Sequence, residues 1–316
     1  PVTVGEAVVY ARGRNLGVSG VVFDAQVRGL AGLDLSATAG HLFRRPRRIV
    51  AMAYQEEPDS TIWCVRDDGV LLGLTYVPEA GVAAWHRHDT AGGQIEDVAV
   101  VAEADQDAVY VLVARSIGGV TTRSIERLEL RAIRDGAEAL DSFFVDAGVT
   151  YAGPPATVIA GLGHLEGEIV AVLADGGVVF DGDPADPRAA AYTVTGGQIT
   201  LAAPASVVHV GLPITAEIET LDLDVAGSSV RDQRKRIGSL TLDLERSARA
   251  FSAGPDAAHQ RRYTAPAWDG SSPLWTGQAE VVMTSGFGVH GRVLIRQTDP
   301  LPLTIVAIMP RVELGG

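Results

Sequence analysis

Ile62-Trp63-Cys64-Val65-Arg66-Asp67-Asp68-Gly69-Val70-Leu71-Leu72-Gly73-Leu74-Thr75-Tyr76-Val77 is the stretch on which the fold reading turns. Ile62–Arg66 and Val70–Val77 are short runs rich in β-branched, aromatic and aliphatic residues, which suit a pleated, packed surface. Between them stands Asp67-Asp68-Gly69, whose glycine supplies the left-handed backbone that a tight turn needs. The stretch therefore predicts an antiparallel hairpin.

Outward from this hairpin the same punctuation recurs. Gly81–His88 reads as the next strand, and Gly92-Gly93 as a turn. Ile95–Ala102 and Ala108–Arg115 read as a pair around the polar segment Glu103–Asp107. Gly118-Gly119 then leads into Thr121–Leu130. Upstream, strands are expected near Glu6–Ala11 and Val21–Val27, and a short helix over Leu33–Arg48, stopped at Pro46. Residues 132–148 are more charged and read as a linker or short helix. A second strand-rich region follows, with strands at Val149–Tyr151, Thr157–Ala160, Ile169–Leu173, Val178–Phe180, Gln198–Leu201, Ser206–Val210 and Ala216–Leu223. Ile237, Leu240, Leu242 and Leu244 alternate with Ser239, Thr241 and Asp243, the pattern of a half-buried strand. Ala250–Ser272 reads as loop, and Gln278–Thr284, Gly291–Gln297 and Leu303–Val312 as closing strands.

Together these give an all-β fold, mainly antiparallel, with propeller-like or sandwich domains and few short helices. Two β-rich domains are expected, over residues 1–131 and 149–316. No internal sequence repeat marks propeller blades. The 316 residues suffice for about two cores, and the 36 glycines and 16 prolines fall between the apolar runs. The chain opens on Pro1 and not on methionine, which suggests processing or a piece of a longer polypeptide.

Composition narrows the function classes. A net charge of −13 repels phosphate and disfavours nucleic-acid binding over a broad face. Cys64 is the single cysteine, so internal disulfides and thiolate metal clusters are excluded; in Ile62-Trp63-Cys64-Val65 it reads as a small buried side chain. No run of 18 apolar residues is present to span a membrane, and no signal-peptide pattern is visible.

The chemistry-bearing motifs are sparse. His86 and His88 would share one face of a strand, as a metal pair requires, but no third ligand stands nearby, and histidines beside a turn commonly serve surface hydrogen bonds. Asp181, Asp183 and Asp186 lack the glycine and terminal glutamate of an EF-hand and read as a polar turn. There is no Gly-x-Ser-x-Gly elbow and no P-loop, and Gly161-Leu162-Gly163-His164 is too short to cradle phosphate. Glu56-Glu57 and Glu126/Glu129 resemble a solvated face more than a glycosidase pair. The expectation is no catalytic, cofactor-binding or metal residues, and no enzyme. Two basic clusters interrupt the acidic background: Arg44–Arg48, and Arg231, Arg234, Lys235 and Arg236. They read either as contacts to an acidic neighbouring subunit or as solvated surface.

Several blocks carry a likeness in order along the chain. Ile62–Tyr76 continues through Trp85-His86-Arg87-His88 and Ile95–Val100 to Arg123–Leu128. His164–Gly167, Val172–Gly176, Val210-Gly211-Leu212-Pro213-Ile214 and Arg234-Lys235-Arg236-Ile237 follow. From about Asp34 to Val312 the chain resembles the bacteriophage tail nozzle family, also described as tail tubular protein B-like or phage stabilisation proteins. The resemblance implies a virion structural subunit in a homo-oligomeric ring, expected to be a hexamer, assembled in the bacterial host cytoplasm. Portal or adaptor proteins would sit above it and tail fibres or spikes outside. DNA would pass through without specific binding, and no membrane insertion is implied. Nozzle subunits are usually much longer, which points to a fragment, a shortened homologue, or a relative from another tail type or a gene transfer agent. The alternative is a β-rich carbohydrate-binding or hydrolytic module acting on host glycans, to be told apart by an aromatic-lined pocket.

Overall fold

The computed structural model describes residues 1–13, 17–25, 28–44, 47–104, 106–129, 138–224, 229–266, 274–284 and 286–315. These residues form mostly antiparallel β-structure, with six small sheets and five short 3₁₀ segments among them, as the sequence leads one to expect. The chain divides into two compact units, Pro1–Glu129 and Leu130–Gly316.

The first unit is built from successive meanders. β1 (Val2–Val4), β2 (Ala7–Ala11), β3 (Val18–Asp24) and β4 (Gly29–Asp34) form one sheet in chain order. β5 (Ile49–Gln55), β6 (Thr61–Arg66), β7 (Leu71–Val77) and β8 (Val82–His88) form the next. β9 (Gly93–Glu103), β10 (Gln106–Ile117) and β11 (Val120–Leu128) form the third.

All six residues of β6 are buried. A strand with one solvated face cannot do this, because successive side chains point to opposite faces. Its residues accordingly feed two cores. Ile62 and Cys64, with Leu72, Leu74 and Tyr76 of β7, pack with Val4, Val9, Val18, Leu35, Leu42 and Phe43. Trp63 and Val65, with Leu71, pack with Ile95, Val98, Val109, Val111 and Val113. The β5–β8 sheet is thus the middle of three layers. Its hairpin closes at Asp67-Asp68-Gly69, where Gly69 takes φ +81° and an added Cβ would lie 2.5 Å from the Gln94 side chain. Both the backbone angle and the close approach call for glycine there.

The helix expected over Leu33–Arg48 reduces to a 3₁₀ segment at Ala37–Phe43, kinked at Ala39. Leu33 and Asp34 are drawn into β4, opposite Gly20 and Ser19. Arg44 is already extended. The buried Arg66 guanidinium donates to the Leu42 carbonyl at 3.0 Å and to both oxygens of Asp68, which ties this segment to the β6–β7 turn. Arg45 and Pro46 lie outside the described residues.

In the second unit, β12 (Asp146–Ala160), β13 (Ala171–Ala174), β14 (Gly177–Phe180) and β15 (Gln198–Leu212) make a sheet of order β12-β15-β13-β14. Two pairs of expected strands are here fused into long ones. β12 runs through Gly153-Pro154-Pro155 because it is an edge strand, where proline removes no ladder bond on the open side. The register slips between Ala152 and Ala156 at that point. Of the expected linker, residues 130–137 lie outside the described residues; Ala139–Asp141 forms one 3₁₀ turn and β12 begins at Asp146.

β16 (Ala216–Glu219), β17 (Arg234–Ala248), β18 (Ala250–Gly254), β19 (Arg261–Thr264), β20 (Leu274–Val282), β21 (Leu294–Gln297) and β22 (Thr304–Gly315) complete the chain. They form two sheets, β16-β21-β18-β19 and β20-β17-β22, over a shared core of Ile237, Leu240, Leu242, Leu244, Phe251, Ala253, Ala279, Val281, Met283, Val293 and Ile295. Ile237 and Leu240 both face this core although three positions apart. A bulge at Gly238 permits it: Ile237 opposes Val312 while Ser239 opposes the adjacent Arg311, so the alternation changes phase. Ala250–Ser272, expected as loop, contains β18 and β19. Phe251 and Ala253 are core residues and β18 has strand partners on both sides, a tertiary gain that overrides the weak local pattern. Residues 267–272 of that stretch lie outside the described residues.

Candidate functional site

β8 places His86 and His88 on one face, as alternation requires. His86 Nδ1 and His88 Nε2 are 2.6 Å apart, a hydrogen bond in which one ring donates and the other accepts. Both rings rest against Trp63, with centroids 5.8 and 5.4 Å from the indole. The Trp63 Nε1–H donates to Gln55 Oε1 at 3.1 Å. Gly73, opposite His86 in the register, makes room: a Cβ there would lie 2.0 Å from His86 Cε1. The pair is built into the layer packing. Among the described residues, no group of three or more His, Cys, Asp or Glu side chains is placed to hold a metal.

The three aspartates of the 181–186 turn bond their own loop. Asp181 accepts from the Asp183 amide, Asp183 from the Ala185 amide, and Asp186 from the Arg188 amide at 2.7 Å. The Arg188 guanidinium also holds Asp186, keeping its carboxyl below the usual range. His164, in the Gly-Leu-Gly-His turn, bonds the Ala147 carbonyl at 2.8 Å. Glu126 is bound by the buried Arg115 and Glu129 by Arg127, so that carboxylate pair is engaged in ion pairs. Cys64 lies buried between layers, and burial pushes its thiol up to about 12.

The second basic cluster borders an open cleft of about 520 Å³ lined by Leu221, Asp222, Asp224, Arg231, Lys235, Val289 and Arg292. Its charges are matched from within. Arg231 pairs with Asp224 at 2.9 Å, and Arg292 and His290 both hold Asp222, whose carboxyl is lowered chiefly by the Arg292 hydrogen bond. Lys235 is only 2% exposed; its ammonium donates to the carbonyls of Gln233 and Val289 at 3.1 and 2.9 Å. Arg234 donates to the Phe287 carbonyl and Arg236 faces Glu313 at 3.7 Å. Here the arginines serve the unit's own loops.

The first cluster differs. Arg47 reaches Asp68 at 3.4 Å, but Arg44 and Arg48 are exposed and their guanidinium groups form no ion pair among the described residues. Each described tryptophan is engaged within its own unit: Trp63 is in a core, Trp85 packs edge-on against Phe43 and donates to the Leu35 carbonyl, and Trp275 packs near Tyr263. Trp268 lies outside the described residues.

Edge strands present large apolar side chains to solvent, a feature that residue-by-residue reading of the sequence missed. Among them are Leu30 and Leu33 on β4, Val120 and Ile125 on β11, Val282 on β20, and Val306, Met309 and Leu314 on β22. Leu30 and Ile125 are each 76% exposed and Val306 61%. The sequence marks these residues as apolar, but only the strand order shows that no further strand among the described residues pairs beyond them. No family model matches the chain, and no curated protein matches it in sequence. No helix among the described residues is long and apolar enough to cross a membrane.

Proposed function

We propose that this chain is a structural subunit of a bacteriophage tail, of the nozzle or tail-tube kind, and not an enzyme. The observation that carries the reading is that edge strands, β4, β11 and β22 among them, bear exposed apolar side chains and have no further partner strand among the described residues. Unpaired strand edges with apolar side chains invite pairing and are ordinarily blunted in proteins that stay single. In a subunit built to assemble, they are where neighbours add. The blocks of sequence similar to nozzle proteins supply the kind of assembly: a ring below the portal and adaptor, with fibres or spikes docking outside. The net charge of −13 suits a wall past which DNA moves without adhering.

Light scattering on the purified chain at micromolar concentration tests the reading. The expected result is a defined multiple of 33.1 kDa. A monodisperse single-chain mass would overturn it.

A further inference from the structure

The β5–β8 sheet is electrically polar along its strands. Ile49 opposes Arg66 at one end of the β5–β6 pair and Gln55 opposes Thr61 at the other. Six residue steps separate those ends, about 20 Å at strand rise. At the Ile49 end stand Arg44 and Arg48. Asp68 there is paired with Arg66 and Arg47, and Asp67 accepts the Arg48 amide but keeps its negative charge, so that Arg44, Arg47, Arg48 and Arg66 outnumber the two acids. At the Gln55 end stand Glu56, Glu57 and Asp59 in the β5–β6 turn. Glu79 joins them in the β7–β8 turn, because Val77 and Val82 close that hairpin at the same end. All four side chains are exposed and none forms an ion pair among the described residues. Asp107 does not neutralise them; it accepts the Glu56 and Glu57 amides and adds to the negative charge.

We infer that copies of this chain associate head to tail through this sheet, the Arg44/Arg48 end of one copy against the Glu56/Glu57/Asp59/Glu79 end of the next. The inference rests on the assembly reading above and specifies its contact. One molecule carries both signs, at opposite ends and too far apart to meet. The partner that satisfies both ends at once is a second copy in the same orientation. Guanidinium forks and carboxylates form the stronger, directional class of ion pair. A contact between two different patches is heterologous, and repeated it generates a ring or a filament.

Two charge-reversed full-length variants test this. Arg44→Glu/Arg48→Glu has two acidic ends, and Glu56→Arg/Glu57→Arg/Asp59→Arg/Glu79→Arg, whose four new cations outnumber Asp107, has two basic ends. Each alone is expected to self-associate at least about tenfold more weakly than the parent in sedimentation at about 100 mM salt. An equimolar mixture is expected to recover association, because opposite ends again meet. Parent association should itself weaken between about 50 and about 500 mM salt. Circular dichroism spectra matching the parent's and a cooperative melting transition establish that both variants fold. If both variants assemble alone as the parent does, or if the mixture of folded variants stays dissociated, the inference is wrong while the assembly reading stands. If Arg44→Glu/Arg48→Glu instead loses only binding to an added acidic polymer, the basic end serves a different partner and the inference also fails. A parent that never self-associates overturns the assembly reading itself.

Discussion

Leu71 and Leu72 are neighbours in β7, and in an ordinary half-buried strand one of them would face water. Here they are 1% and 0% exposed, Leu71 in the core shared with β9 and β10 and Leu72 in the core shared with β2 and β3. Truncating either to alanine removes the same methyl and methine groups from a filled site and leaves a cavity. The expected cost is about 3 kcal/mol for each, within the range of about 2–5 kcal/mol for buried Leu→Ala changes. Hydrogen exchange of peptides spanning residues 61–77 reads the first unit by itself. A loss of about 3 kcal/mol raises global-opening exchange there about a hundredfold. Val50→Ala, at a site 57% exposed, is the control and should stay within about 0.5 kcal/mol of the parent. If Leu72→Ala costs the full amount and Leu71→Ala no more than the control, the β5–β8 sheet has one solvated face, and the three-layer argument fails.

Other consequences follow from particular contacts. Cys64 should resist a thiol reagent at pH 8 in the folded protein and react fully on denaturation, since its thiol is pushed up to about 12 by burial; stoichiometric reaction without denaturant would refute that placement. Gly73→Ala should destabilise by about 1–3 kcal/mol, because the new Cβ displaces the His86 ring, and a His86→Ala background should relieve most of the loss in a double-mutant cycle. Asp68 has a carboxyl held below its ordinary value of 3.8, first by the Arg66 hydrogen bond. A lowered folded pKa gives stability that is present above the ordinary value and lost as pH falls through the lowered one. Asp68→Asn should therefore flatten the acid limb of a stability–pH curve measured below about pH 4. Lys235 is the only lysine and is buried, so a succinimidyl ester should modify its amine only after unfolding, as read by peptide mapping.

Much of the fold was legible because hairpins announce themselves locally. Asp67-Asp68-Gly69 between two apolar runs needs no tertiary information, and the His86/His88 shared face follows from alternation alone. What was not legible depends on partners distant in sequence. The four-residue apolar run Ile62–Val65 fits a buried strand, but its two cores come from β1–β4 and β9–β11. β18 and β19 exist because Phe251 and Ala253 find a core built by β17 and β20, and Leu33–Asp34 left the expected helix because β3 offered a ladder. The same holds for the candidate contact surface. Arg44–Arg48 stands out in an acidic sequence, whereas Glu56-Glu57 looks like any solvated pair. Their relation appears only when the β5–β6 hairpin sets them at opposite ends of one sheet.

Electron microscopy of the purified chain tests the assembly account most directly. Class averages should show closed rings of one copy number around a central channel, with the first unit of each copy meeting its neighbour at the two charged ends of its middle sheet. A field of single, unassociated 33.1 kDa particles at concentrations where virion rings persist would contradict it.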